Sequence, residues 1–371
     1  MSILTRISAL LLLLGLPLAS GRLAGLPQGF SDMPPRPGGI AIPEYSPGAY
    51  AVFTAGLVVV VLFLLWPRLF GFSGRGRSGL EAFDWAAAPR GRGRFPKRGR
   101  LGLALIGIFW PLAWWHPAWL GAAADHTFFP LWLGYALTVD GLTFARAGTS
   151  PFARSPARWL AWFPASAAAW WYFELLNRFI QNWQYLGVED YSPLRYALGA
   201  TLAFSTVLPA VLGTAALLST FDPLRSRYTR PASARGREAN RAVWRWLVAA
   251  GALGLAVMPW FPVALFALIW IAPLLILAGL LELSGRDTSL GHLLRGDWGP
   301  FVILGLAALT CGFFWEMWNY FAMPKWIYQV PWLNRFHLFE MPLVGYLGYL
   351  PFGPACWMAW LLLSPRRAAG A

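Results

Sequence analysis

Carboxylates, cysteines and histidines are all scarce in this chain. Asp and Glu together number 16 in 371 residues, against 30 Lys and Arg, with only four His and two Cys. Cys311 and Cys356 lie in apolar stretches without C-x-x-C spacing, and His116, His126, His292 and His337 form no H-x-x-H pair, so no tight metal site is expected. The G-x-x-x-x-G-K-[ST] loop, the G-x-S-x-G elbow, H-E-x-x-H and the N-D-x-x-D cluster of prenyl transferases are all missing. Nucleotide, serine-hydrolase, zinc-protease and metal-diphosphate chemistry therefore have no support, and no cofactor is expected. Charge of either sign is also thin. At 12% charged and 57% hydrophobic, the chain has too little polar surface to cover a soluble globule, and it reads as a membrane protein. The net charge of +14 would suggest nucleic acid in a soluble protein. Here the placement of the arginines assigns it to topology, and no nucleic-acid partner is expected.

What is present is a series of apolar runs long enough for a hydrocarbon core of about 30 Å. They cover residues 49–66, 101–122, 128–146, 159–182, 195–219, 243–260, 263–284, 301–323 and 342–363, which makes nine spans. A shorter run, residues 7–19, follows Arg6 and precedes Ala19, Ser20 and Gly21, so residues 1–20 read as a signal peptide or a signal anchor. Loops on the cytoplasmic side keep Lys and Arg. With residues 67–100 inside, 24 of the 30 basic residues fall inside, which places residues 21–48 in the periplasm and the C-terminus in the cytoplasm of a bacterial inner membrane. The glycine- and arginine-rich stretch within 67–100 has no preceding strand and so fails as a dinucleotide loop; it reads as a flexible basic linker touching anionic headgroups.

Two stretches carry polar groups inside aromatic runs, "WWYFELLNRFIQNW" from Trp170 and "FFWEMWNYFAMPKW" from Phe313. Glu174, Asn177, Phe179, Trp183 and Tyr185 match Glu316, Asn319, Phe321, Trp326 and Tyr328, with one extra residue in the second copy. "PLRYALG" at Pro193 matches "PLVGYLG" at Pro342, and Phe129-Pro130 matches Phe261-Pro262. The expected fold is thus an all-α, polytopic transmembrane bundle of two parallel four-helix repeats, 101–219 and 243–363, plus the N-terminal helix 49–66. A basic loop, 220–242, joins the repeats, and 364–371 is a cytoplasmic tail. An even number of helices per unit makes the repeats parallel, with a pseudo-twofold axis along the membrane normal.

Glu174 and Glu316 each lie about 15 residues into their helices, so at about 1.5 Å per residue both are expected in the outer leaflet. An ionisable group there must face the bundle interior or water, and it is a candidate for function or for helix-to-helix bonding. Arg178, one turn after Glu174, offers an ion pair; Tyr320 holds that position after Glu316. Glu316 is therefore the stronger candidate acid, with Glu174 or Glu340 as its partner in an acid and base pair. Asn177 and Asn319 share the glutamate face, Gln181 extends it, and Arg178, Trp183, Trp326 and Arg335 complete the candidate substrate-binding set. The interrupted segment 323–342 should lie in the interface, bringing Arg335, His337 and Glu340 to the outer mouth, where His337 is suited to proton exchange. Asp140 sits nearer the cytoplasmic half, opposite an apolar counterpart, and reads as a bond to a neighbouring helix.

At "WEMWNYF", "FEMPLVGYLGYLPFG" and "FPLWLGY" the chain resembles a set of polytopic bacterial inner-membrane proteins, over roughly residues 101–363. Its duplicated helices with embedded glutamates also resemble carotenoid-modifying membrane proteins of the lycopene cyclase and carotenoid hydratase type. That second resemblance implies a proton donor to a polyene at Glu316. Three classes of function stay open: an enzyme acting on an isoprenoid or lipid, a proton-coupled transporter, and a membrane scaffold. Membrane lipids and a hydrophobic small molecule are the expected partners.

Overall fold

Four Ser-Pro dipeptides each begin a helix. The serine hydroxyl accepts a backbone N–H three residues ahead, and proline fits the first helical position because it has no N–H to leave unpaired. Ser46, Ser150, Ser155 and Ser192 do this for the amides of Ala49, Ala153, Arg158 and Arg195. The computed structural model describes residues 3–26, 33–35, 40–72, 74, 78–87, 91–230 and 240–364. Parts of the expected periplasmic segment, basic linker and basic loop, including Arg36, and the tail with Arg366 and Arg367, lie outside the described residues.

In chain order the helices are α1 (Ile3–Leu23), α2 (Pro47–Leu65), α3 (Lys97–Trp115), α4 (Phe128–Ala147), α5 (Pro151–Arg154), α6 (Pro156–Ile180), α7 (Pro193–Phe204), α8 (Val207–Leu218), α9 (Asp222–Arg227), α10 (Arg241–Val257), α11 (Leu268–Leu283), α12 (Ser289–Leu294), α13 (Gly299–Tyr320) and α14 (Tyr349–Leu363). Four short strands accompany them: β1 (Trp183–Leu186), β2 (Lys325–Tyr328), β3 (His337–Leu338) and β4 (Met341–Pro342). Among the described residues, five helices are long and apolar enough to cross a membrane: α1, α2, α4, α13 and the joined α7–α8. A sixth arises if α3 is counted with the 3-10 stretch Ala118–His126, which turns away from it by 112°. The chain is thus a mostly helical, membrane-type protein. The run at 7–19 is longer than its composition suggests, being part of the 21-residue α1. Ala9 and Leu13 of α1 are buried against the bundle, and Ser20 donates to the Ala256 carbonyl while accepting from the Trp260 indole at 3.0 Å.

Glycines let helix backbones touch where the packing is closest. A β-carbon at Gly102 would lie 2.6 Å from the Gly134 carbonyl, and one at Gly134 would lie 2.8 Å from that of Gly102, so α3 and α4 cross backbone to backbone. The same is true of α10 and α11, where a β-carbon at Gly251 or Gly279 would come within 2.7 Å of the Ala272 or Trp244 carbonyl. In the centre, α8 packs on α13 while α14 packs on α6, so each late helix leans on the glutamate-bearing helix of the other half.

One expectation for residues 67–100 changes. Composition there suggests a flexible basic linker, yet Ser78–Ala87 folds against the arginine-rich end of the bundle, with Leu80, Phe83 and Trp85 buried. The segment is pinned by the Gly79 amide on Asp297 (2.6 Å), the Ala87 amide on the Ser219 hydroxyl (2.9 Å) and the Arg158 guanidinium on Asp84 (2.9 Å). Apolar burial outweighs the charge of the flanking sequence.

Asp140 is also at that end. It accepts from Arg98 Nε at 2.7 Å, from the Ser150 hydroxyl at 3.0 Å and from the Phe152 amide at 3.0 Å, while Ser150 caps α5. Its role has a counterpart that the alignment misses, Glu282 on α11. That carboxylate accepts from the Thr288 hydroxyl at 2.8 Å, and Thr288 caps α12 through the Gly291 amide.

Candidate functional site

At the opposite end of the bundle, α6 and α13 each finish within two turns of a glutamate and within one turn of an asparagine. After α6 the chain reverses through Gln181, whose φ of 52° is left-handed, and returns as β1. An amide side chain has the donor and acceptor spacing of a peptide group. Asn177 Nδ2 donates to the Trp183 carbonyl at 2.8 Å, and the Trp183 amide donates back to Oδ1 at 3.3 Å. Asn319 does the same for Trp326, at 2.7 Å and 2.9 Å. In an apolar setting these bonds replace the ladder partners that the returning backbone would otherwise lack.

Each asparagine fixes a tryptophan beside its glutamate. Glu174, 3% exposed, takes three donors on Oε1: the indoles of Trp170 (2.9 Å) and Trp183 (3.0 Å) and the Tyr185 hydroxyl (2.6 Å). Glu316, 0% exposed, takes the hydroxyls of Tyr328 and Tyr349 on Oε1, both at 2.8 Å. Strands β1 and β2 then pair antiparallel, with Trp183 opposite Tyr328, Gln184 opposite Ile327 and Tyr185 opposite Trp326. The tryptophan of each half faces the tyrosine of the other.

Between these elements lies a cavity of about 270 Å³. Its walls include Trp170, Trp183, Tyr185, Trp270, Trp315, Trp326, Tyr328, Tyr349 and Phe352, with Phe53 of α2 on one side and Gly199, Ala200 and Ala203 of α7 on another. The faces of Trp183 and Trp270 stack at 5.8 Å. Asp125, His126, Asn182, Tyr191 and Lys325 are among the few polar side chains of its lining. Glu174 and Glu316 stand behind this wall, each one hydrogen bond away from tyrosines that form it.

Of the residues singled out in the sequence, Trp183 and Trp326 line the cavity, while Glu174, Glu316, Asn177 and Asn319 hold the residues that do. Arg178 is within electrostatic reach of Glu174, and Gln181 serves the turn after α6. The remaining three do not line the cavity. Glu340 pairs with Lys325, His337 shares a 3.1 Å hydrogen bond with Asn334, and the Arg335 guanidinium lies over the rings of Tyr45 and Phe336 at 5.2 Å and 5.5 Å. Partial burial holds the His337 imidazole below its ordinary value against the pull of Glu340. Tyr185, Tyr328, Tyr349, Trp170 and Trp270 were not singled out. The first two carried a signal in the recurrence of Glu, Asn, Trp and Tyr; Tyr349 is 33 residues beyond Glu316, and nothing local marks it. Among the described residues no three His, Cys, Asp or Glu side chains gather as a metal would need. Comparisons of the chain with protein-family models, with curated proteins and with solved structures find no match.

Proposed function

We propose that this is an integral inner-membrane protein of two parallel four-helix units that takes an apolar molecule, of isoprenoid or lipid type, into the aromatic cavity at its outer-leaflet end. Glu316 is the group assigned to acid and base chemistry on that molecule. The observation that carries this reading is the cavity itself: apolar, walled by ring faces, and backed by two buried carboxylates through tyrosine hydroxyls. Sites for small apolar molecules have this composition, with a few convergent polar groups in a largely aromatic lining. The reciprocal facing of Trp183 with Tyr328 and Tyr185 with Trp326 supports the pseudo-twofold arrangement, because such an axis pairs each residue with its counterpart's neighbour. The arginine distribution supports the orientation. Transport finds less support, since Ser78–Ala87 packs across the arginine-rich end.

A second reading, that of a membrane scaffold, is favoured at Glu174, where one carboxylate oxygen is held by three donors. The two readings separate in the host's lipid and pigment extract. Glu316→Gln should leave the protein inserted and monodisperse while changing the apolar species in that extract, and filling the cavity with Ala203→Trp should remove any apolar species that co-purifies with the wild type. Extracts indistinguishable from wild type in both variants would favour the scaffold.

A further inference from the structure

At the arginine-rich end several cations are engaged within the chain. Arg98 pairs with Asp140 at 2.7 Å, Arg158 pairs with Asp84 at 2.9 Å, and Arg146 donates to the Thr220 hydroxyl and lies over the Phe221 ring at 3.8 Å. Arg94, Lys97 and Arg100 are different. All three are exposed, all three line one open groove, and among the described residues none of them has an ion-pair partner. Phe95, Pro96 and Phe144 complete that lining, which holds no carboxylate.

The groove is built into the fold, because the chain that carries Arg94 is fastened on both sides of it. The Gly93 amide donates to the Ala145 carbonyl at 3.0 Å, so close to α4 that a β-carbon at Gly93 would lie 2.7 Å from the Phe144 carbonyl. On the other side the Phe95 ring fills the space left by Gly99 of α3 and Gly141 of α4, where β-carbons would come within 2.6 Å and 2.9 Å of it. Arg94 is thereby held at the end of α4, beside Lys97 and Arg100 on the first turn of α3.

Three unpaired cations set together repel one another, and an anion between them relieves that repulsion. Guanidinium groups match phosphate oxygens two at a time, and the lysine ammonium adds a further donor. The helix supplies the rest of the ligand's chemistry. Lys97, Arg100, Leu101, Ala104 and Ile108 recur at the three- and four-residue spacing of one α3 face, and all are exposed. Charge gives way to hydrocarbon along one stripe. A soluble phosphate uses only its first part, whereas a phospholipid uses both. We propose that this groove binds the phosphate of an anionic phospholipid, with an acyl chain lying along Leu101 and Ile108. The site is separate from the aromatic cavity and stands whether or not that cavity takes a ligand.

The test uses the full chain in dodecyl maltoside micelles, with fluorescent phosphatidylglycerol as probe and the matching phosphatidylcholine as its zwitterionic counterpart. The wild type should prefer phosphatidylglycerol by about tenfold or more, since each basic residue contributes about fivefold to the attraction of an anionic lipid. The double variant Arg94→Gln, Arg100→Gln should lose most of that preference, and Lys97→Gln alone should lose about fivefold and decides the matter if the double variant fails to fold. The pair Arg241→Gln, Arg245→Gln removes the same charge from exposed positions at the start of α10, outside the groove, and should keep the preference. Equal affinity of the wild type for the two lipids overturns the proposal. A loss as large in the α10 pair as in the groove variants also overturns it, because the attraction would then be one of diffuse charge. Displacement of the probe by soluble glycerol phosphate as readily as by unlabelled phosphatidylglycerol overturns the lipid assignment in favour of a free phosphate.

Discussion

Asn177 and Asn319 each give both ends of one amide to the backbone of a single tryptophan. Truncating Asn319 to alanine leaves a buried N–H and a buried C=O unpaired, and each such loss costs about 1–3 kcal/mol. Asn319→Ala should therefore unfold well below the wild type in a thermal melt in nanodiscs; an unchanged melt would show that water or a neighbour satisfies the Trp326 peptide. At this scale the sequence was informative about which residues matter and less so about what they bond. The recurrence of Glu, Asn, Trp and Tyr marked the two clusters, because residues three apart on a helix share a face. It could not reveal that the asparagine serves the backbone, since an amide bonding a peptide and an amide bonding a ligand look the same in a string of letters. Nor could it pair Glu316 with Tyr349, which a different helix supplies.

Elements were legible where periodic hydrophobicity and capping agree, and misread where composition overrode a short pattern. All nine apolar runs expected as spans contain helix, although among the described residues five of the helices, or six with the bent pair, are long and apolar enough to cross; the Ser-Pro starts of α2, α5, α6 and α7 are local chemistry. The segment Ser78–Ala87 was hidden by its arginine- and glycine-rich flanks, although Leu80, Phe83 and Trp85 are what a docking segment buries. Its anchor is Asp297, which accepts from the Gly79 amide, the Ser78 hydroxyl and His292. Burial pushes this carboxyl up, but those hydrogen bonds and the His292 charge outweigh it and hold the group below the usual 3.8. A depressed carboxylate contributes stability that is fully present above its unfolded value and is lost as pH falls through the folded one. As far as Asp297 is concerned, docking should thus weaken as pH falls below about 3.8. Asp297→Asn should release the segment at neutral pH. Hydrogen bonds to a charged group are worth about 1.5–3 kcal/mol, so chymotryptic cleavage after Phe83 or Trp85 should accelerate by about tenfold or more. An unaltered cleavage rate in the asparagine variant would mean that apolar burial alone holds the segment.

For the whole molecule, the pairing of β1 with β2 is one of the contacts that join the two halves of the chain at the cavity end. Gln184 and Ile327 sit directly opposite each other in that ladder, and opposed antiparallel residues have Cα atoms about 4.5–5.5 Å apart, within reach of a disulfide. A Gln184→Cys, Ile327→Cys double variant should cross-link on mild oxidation, while moving one partner to Lys325 should not; the reverse result would mean a different register. Cys311 and Cys356 are buried and should stay out of the exchange. This pairing was beyond the reach of sequence reasoning, because strands of four residues carry almost no periodicity and their partners lie more than a hundred positions apart. Helix α2 adds one more property at this scale. Its ring contacts are Tyr50 and Phe53 near one end and Phe63 near the other, and Val58, Val59 and Val61 between them face outward. Leu57 packs in the same apolar cluster as Phe53, so α2 lies against the cavity's flank along a part-buried stripe while its opposite face is open. If the cavity takes up an apolar molecule as proposed, the single Phe53 ring of α2 is what separates it from the hydrocarbon on this flank, and Phe53→Ala should speed the exchange of any such molecule with the bilayer.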